Sequence, residues 1–145
     1  MAADKRWQQR FQNYCSALIS FERSVEFTKK AAPEMLELTE LGLIKSFEIV
    51  YELSWNCMKD FCDEKNKLEG MEAKILGSKD AVYFAEKYEL IDNKALWDEL
   101  IKDRIKTVHT YDGAMAHKVA QEIIHIYYPA FLKLQKKFNE LKNKS

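Results

Sequence analysis

The sequence predicts an all-α protein, an antiparallel up-and-down bundle of four long helices with one additional short helix. Apolar residues recur at steps of three and four along most of the chain, which is the spacing of one helix face. Only four glycines and two prolines interrupt the 145 residues, so long helices are expected. No alternating apolar and polar run has the length of a strand. The length and the 47% apolar content predict one domain, residues 1–145.

The first two helices are predicted from their apolar faces. The face of the first consists of Trp7, Phe11, Tyr14, Leu18, Phe21 and Val25. The stretch Ala31-Ala32-Pro33 ends this helix, because proline disfavours helical geometry in the residue before it. The second helix covers about residues 34–65, and its main stripe consists of Ile44, Phe47, Tyr51, Met58 and Phe61. Between residues 47 and 55 apolar side chains point in nearly every direction, which predicts burial both in the core and in a subunit interface.

The remaining helices are predicted from caps and breaks. Residues 69–77 form a connection, after which Ser78 caps the short helix and Asp92 caps the next long one. Asp112 caps a final helix, which Pro129 is expected to kink because proline lacks a backbone donor. The apolar positions are Ala81, Val82, Phe84 and Ala85 in the short helix, Ala95, Leu96, Trp97, Leu100 and Ile101 in the next, and Val119, Ile123, Ile126, Ala130, Leu134 and Leu141 in the last.

Composition limits the classes of function. The 23 basic and 23 acidic residues balance, so no global field attracts nucleic acid or an anionic membrane. The three cysteines, Cys15, Cys57 and Cys62, have no C-x-x-C spacing. The first 30 residues show no signal-peptide pattern, and no charge-free run approaches the roughly 20 residues that cross a bilayer. These features predict a reduced, cytoplasmic protein without a membrane segment.

The segment from Asp103 to Asp112 gathers the most chemistry. It contains Arg104, which can grip a phosphate bidentately, His109, which can move a proton near neutral pH, and Tyr111, a nucleophilic or stacking ring. This combination suits a ligand that carries phosphate. On a straight helix His109 lies roughly 140° from Arg104, so the two converge only if the helix ends near residue 110 or if a two-fold axis supplies a second copy of the segment.

Simpler interpretations of the same residues remain open. Lys102, Arg104 and Lys106 are also the cations that a helix C-terminus favours, and His109 can be a capping or packed histidine. The three histidines recur every eight residues, at 109, 117 and 125, but no carboxylate or cysteine completes a plausible metal shell. Phosphate-binding glycine loops and nucleophile elbows are absent from the sequence. We therefore predict no metal and no cofactor.

Two blocks resemble a known family. The stretch from Phe47 to Trp55, FEIVYELSW, resembles the second-helix signature of the nucleotidyltransferase substrate-binding branch of the HEPN proteins. Leu96-Trp97, followed by Asp103-Arg104 and then HTYD from His109, resembles the fourth-helix signature, an Arg-x4-His-x-Tyr motif. Residues 78–82, SKDAV, fit the short helix between them, so the resemblance covers most of the chain. It implies the HEPN-like helical bundle.

The resemblance implies a function and a partner. Such proteins are cytoplasmic, bacterial and usually homodimeric, and many are encoded beside a minimal nucleotidyltransferase with which they assemble. The chain is then a non-catalytic subunit whose cleft binds a substrate or nucleotide and presents it to that enzyme. Asp103, Arg104, His109 and Tyr111 are the implied binding residues.

An alternative from the same family is a metal-independent endoribonuclease toxin of a toxin–antitoxin pair, so the resemblance leaves open whether the chain is an enzyme. In such a toxin, the residue at the position of His109 acts as the base toward a ribose 2′-hydroxyl, and the residue at the position of Arg104 holds the scissile phosphate. The partner silences the toxin by adenylylating the tyrosine at the position of Tyr111. Ile105 and Val108 replace polar residues of the family pattern, which argues against catalysis and leaves binding intact. A third interpretation is a structural interaction module whose polar segment only caps a helix and fixes the dimer.

Overall fold

The computed structural model describes residues 6–72, 74–109 and 113–144. In chain order the elements are α1 (Arg6–Lys30), a 3₁₀ turn (Pro33–Met35), α2 (Leu36–Leu68), α3 (Ser78–Lys87), α4 (Lys94–His109), α5 (Gly113–Glu122), a π-helix (Ile123–Tyr127) and α6 (Tyr128–Lys144). The segment from α5 through α6 is continuous, so the described chain forms four long helical segments and the short α3. This confirms the predicted all-α bundle.

Aromatic side chains of α1, α2 and α6 pack against one another in the core. All six residues predicted for the face of α1 are buried. Trp7 stacks on Phe138 of α6 at 5.6 Å between ring centroids and meets Phe61 of α2 edge-on at 5.5 Å. Tyr14, fully buried, donates a hydrogen bond of 2.6 Å from its hydroxyl to the backbone oxygen of Phe131, which ties α1 to α6. A buried phenol needs such a partner, because an unpaired polar group in an apolar core is costly.

Two predicted helix caps are wrong. Ser78 is the first residue of α3, the cap position belongs to Gly77, and no side chain bonds there. At α4 the capping oxygen is that of Asn93, whose side chain accepts a 3.2 Å hydrogen bond from the backbone nitrogen of Leu96. Asp92 instead pairs with Lys133 of α6. The helix α3 therefore begins one residue earlier than the predicted cap implied, and α4 begins one residue later. An exposed tertiary ion pair uses the carboxylate of Asp92. The predicted cap Asp112 lies outside the described residues.

The long C-terminal helix contains a π-helical turn beside Pro129, the residue that was expected to kink it. The backbone nitrogen of Tyr128 bonds to the oxygen of Ile123, five residues earlier, directly before Pro129. Because Pro129 has no backbone N–H to donate, the regular helical hydrogen bonds are interrupted at this residue, and the wider turn lies at that interruption. This turn also changes which side chain faces inward. Tyr127 is buried, whereas Ile126, which the heptad-like spacing placed in the core, is 45% exposed.

None of the helices that the structure describes combines the length and the hydropathy of a membrane-crossing segment.

Candidate functional site

The candidate site lies on the second half of α4, and the anchoring of this helix changes along its length. Its first half is held by apolar packing of Trp97, Leu100 and Ile101, all of them buried. After Ile101, Asp103 is the only buried side chain among those of α4 that the structure describes. Among these described side chains, the contacts that position the C-terminal half are therefore mainly polar.

Asp103 points into the bundle rather than into a cleft. Its side chain is 5% exposed, and its Oδ2 accepts a short hydrogen bond from the hydroxyl of Tyr127 in the π-helix. Burial, followed by this hydrogen bond to the carboxylate, raises the pKa of Tyr127, so the phenol stays protonated and remains the donor. The ring of Tyr127 is fixed in turn by stacking on Phe47 of α2, 5.8 Å away. Asp103 thus acts as a structural anchor for α4.

Arg104 points toward α2. Its guanidinium carbon lies 5.9 Å from the ring centroid of Tyr51, within the range of a cation–π contact. The Nε atom is buried and makes no hydrogen bond with any residue that the structure describes. Burial raises the pKa of Tyr51, while its hydrogen bond with Ser78 and the charge of Arg104 act in the opposite direction. A half-buried guanidinium braced against an aromatic ring is a good phosphate or carboxylate contact, because little side-chain freedom is lost on binding.

Thr107 and Glu48 link α4 to α2 one turn further on. The Thr107 hydroxyl donates to Oε1 of Glu48 at 3.0 Å and also lies 2.8 Å from the backbone oxygen of Arg104. Glu48 has Lys45 at 3.9 Å on its other side. The carboxylate of Glu48 and the hydroxyls of Thr107 and Tyr51 therefore lie near Arg104.

The four residues proposed from the sequence are only partly located. Asp103 and Arg104 are adjacent and face different elements, as the 100° helical step requires. The backbone of His109 ends α4, but its side chain lies outside what the structure describes, and so does the whole of Tyr111. Their convergence with Arg104 is therefore still a prediction.

Four contributors to this region were not predicted from the sequence as site residues, namely Glu48, Tyr51, Thr107 and Tyr127. A signal was available for Glu48 and Tyr51, since both lie inside the stretch from Phe47 to Trp55. Thr107 lies inside the segment from Asp103 to Asp112, but a neutral hydroxyl is less distinctive in a sequence than the charged residues around it. Tyr127 had no local signal, because a π-helical turn and a contact across 24 residues bring it to Asp103.

A separate groove of about 590 Å³ runs between the connection before α4 and α6. Its apolar floor includes Leu96, Trp97 and Leu134, and its rim carries Glu89, Asp92, Lys133, Lys136, Lys137 and Glu140. Three lysines and three carboxylates balance on this rim, and Asp92 pairs with Lys133 across it. The groove therefore shows no preference for an anion and includes none of the predicted site residues.

Within the described ranges, no group of three or more histidine, cysteine, aspartate or glutamate residues is arranged to hold a metal ion. His117 is engaged with Glu40 of α2, and His125 lies exposed in the π-helix.

Comparison with known proteins decides the family. The family model described as "Nucleotidyltransferase substrate binding protein like" matches residues 9–140, almost the whole chain. The chain belongs to this nucleotidyltransferase substrate-binding family. The matched range contains α2 and α4, and so includes every described residue of the candidate site.

A solved structure agrees with the substrate-binding family at the level of fold. HI0074 from Haemophilus influenzae, described as having the fold of a substrate-binding domain of a nucleotidyltransferase, superposes with a TM-score of 0.76. The match covers 89% of this chain and 98% of that one at 24% sequence identity. No curated protein matches the sequence significantly.

Proposed function

We propose that this protein is a non-catalytic subunit that binds a substrate or nucleotide and assembles with a separately encoded minimal nucleotidyltransferase in the cytoplasm. Membership of the substrate-binding family supports the coarse function, and the relative HI0074 is described as a substrate-binding domain. The catalytic metal and its carboxylates then belong to the partner enzyme.

The observation that carries the proposal is the bracing of Arg104. Its guanidinium lies against Tyr51, near the Thr107–Glu48 contact, on a helix anchored through Asp103. An arginine held in this way binds phosphate or carboxylate oxygens with charge-assisted hydrogen bonds. His109 and Tyr111, at the end of α4 and in the segment after it, complete the proposed substrate contacts. Asp103, expected from the sequence to bind substrate, is buried and supports the site as the anchor of α4.

We also propose that the protein acts as a homodimer. Two apolar side chains on the outer face of α2, Leu41 and Ile49, are 50% and 48% exposed, and Ile105 of the site-bearing helix is 56% exposed. Apolar side chains this exposed, on two helices that meet at Glu48 and Thr107, are suited to a protein interface. This arrangement supports the expectation that a second copy covers the dense apolar centre of α2.

The test is calorimetric titration of the partner nucleotidyltransferase and of ATP with magnesium onto the purified protein and onto Arg104→Ala. We expect the variant to bind ATP in the complex about 10-fold to 100-fold more weakly, since charge-assisted hydrogen bonds are lost. Arg23→Ala is the matched control, because Arg23 is exposed on α1, whose packed face forms the core. Equal affinities for wild type, Arg104→Ala and Arg23→Ala would remove Arg104 from the site.

The endoribonuclease alternative is not proposed as a second function, because no described contact favours it. Ile105 is exposed beside Arg104, where it offers no hydrogen bond to a ribose or phosphate. Modification of Tyr111 stays a separate prediction. Incubation with the partner, ATP and magnesium, followed by intact mass and peptide mapping, shows whether Tyr111 gains an AMP. Absence of the adduct with a stable complex leaves the substrate-binding role intact.

A further inference from the structure

We propose that Tyr127 is a positioning residue for the candidate site. Its hydroxyl, acting through the buried Asp103 carboxylate, fixes the rotation of the second half of α4 and thereby the direction in which Arg104 points. This role deepens the proposed function. It rests on that function in one respect, namely that Arg104 is the residue that contacts the ligand.

Among the described side chains, apolar packing constrains the second half of α4 only weakly. Ile101 is the last buried apolar side chain of α4 among those described, and Ile105 faces solvent. Where few apolar side chains are buried, directional polar contacts contribute more to fixing the rotation of a helix. Among the described side chains of this half, those contacts are made by Asp103, Arg104 and Thr107.

The Asp103 contact is the most constraining of these three contacts. Asp103 is 5% exposed, so its carboxylate depends on protein donors, and a hydrogen bond to a buried charge is both strong and directional. Thr107 and Arg104 are only half-buried. Because successive side chains on a helix diverge by about 100°, fixing Asp103 toward the π-helix directs Arg104 toward Tyr51.

Tyr127 is itself held rigidly. Its ring stacks on Phe47 at 5.8 Å with 23° between the planes. It closes the π-helical turn, in which the backbone nitrogen of Tyr128 bonds to the oxygen of Ile123. The wider turn before Pro129 therefore places a phenol at Asp103, and π-helical turns in general recur at functional sites.

The experiment compares Tyr127→Phe with Tyr128→Phe. Tyr128 is the adjacent tyrosine, half-buried and edge-on to Phe21 at 5.4 Å, and its hydroxyl makes no hydrogen bond in the described structure. The readout is the NMR signal of the Arg104 Nε–H group, assigned with Arg104→Lys, and its hydrogen exchange rate in the isolated protein. This atom is buried, so its exchange reports on the placement of Arg104 itself.

We expect the Nε–H of Arg104 to exchange about tenfold faster in Tyr127→Phe, because one buried hydrogen bond no longer opposes opening, and to be unchanged in Tyr128→Phe. The effect is expected to vanish when Asp103→Asn is already present, because coupled residues are not additive. Equal exchange in the two tyrosine variants, with a loss of global stability alone, overturns the proposal. Should Tyr127→Phe fail to fold, Asp103→Asn provides the same readout, and unchanged exchange there also overturns it.

Titration of the partner nucleotidyltransferase separates this inference from the proposed function. If wild type does not bind the partner, the proposed function fails, whereas the Arg104 exchange rates still decide whether Tyr127 positions the arginine. If wild type binds, Tyr127→Phe is expected to weaken ATP binding in the complex, and Tyr128→Phe is not.

Discussion

The imidazole Nδ1 of His117 lies 2.5 Å from Oε2 of Glu40, a carboxylate almost completely buried in α2. The two side chains differ sharply in exposure, 53% for His117 and 6% for Glu40. This contact joins α5, the first helical segment after the segment that carries Tyr111, to the beginning of α2. The carboxylate depends on it because water reaches Glu40 poorly.

We expect His117→Ala to lower the free energy of unfolding by about 1–3 kcal/mol, because a buried acceptor loses a hydrogen-bonding partner. Urea denaturation followed by circular dichroism measures the change. His125→Ala is the matched control, since His125 is exposed in the π-helix, and it should change the stability by less than about 0.5 kcal/mol. Equal losses in the two variants would show that the Glu40 contact contributes nothing.

Tyr14→Phe should make stability less sensitive to alkaline pH. Burial raises the pKa of Tyr14 well above its usual value, so the native state keeps a proton that the unfolded chain releases above about pH 10. The free energy of unfolding of wild type therefore falls as pH rises beyond that point, by up to about 1.4 kcal/mol per pH unit for each such group. Removing the hydroxyl removes this contribution.

Denaturation midpoints at pH 8 and at about pH 11 measure that slope. Tyr83→Phe is the control, because Tyr83 is exposed on α3, and it should keep the wild-type slope. An identical pH dependence in Tyr14→Phe and wild type would contradict the assignment.

Thiol labelling should separate Cys15 from the other two cysteines. Cys57 and Cys62 are buried, burial raises the pKa of both thiols, and that of Cys62 reaches about 12. The thiolate is the reactive form, so neither should react in the native state. Cys15 is half-buried, beside the amide of Gln135. Ellman's reagent at pH 8 should therefore titrate one thiol rapidly and all three only in denaturant, and Cys15→Ser should abolish the rapid phase.

Ile49→Lys should dissociate the proposed homodimer without unfolding the chain. A lysine placed at the centre of an apolar interface must lose its hydration, which costs several kcal/mol. Ile19→Lys is the matched control, because Ile19 is similarly exposed on α1. Light scattering after size exclusion should show a monomer for the first variant and a dimer for the second. A dimer in both would place the interface elsewhere.

The sequence predicted the helices well because their burial pattern repeats locally. The faces of α1 and α3 follow steps of three and four, and every residue predicted for them is buried. The prediction was wrong where the backbone departs from the regular helix. Counting at 100° per residue placed Ile126 inward, but the π-helical turn buries Tyr127 instead.

The candidate site was predictable only as a segment. Arginine, histidine and tyrosine within eight residues indicated chemistry at the end of α4. The partners of Arg104 and Asp103, which are Tyr51 and Tyr127, come from helices distant in sequence. Such contacts depend on how helices roll against each other, and side-chain spacing within one helix does not determine that.

The polar anchoring of the second half of α4 gives the bundle two levels of stability. A helix end held by a few hydrogen bonds opens at a free energy far below that of global unfolding. A micromolar complex releases about 8 kcal/mol, which is ample to remodel such an end while the aromatic core around Phe131 and Phe138 stays folded. The molecule thus combines an aromatic base with a hydrogen-bonded helix end, and we expect the proposed partner enzyme to reshape that end on assembly.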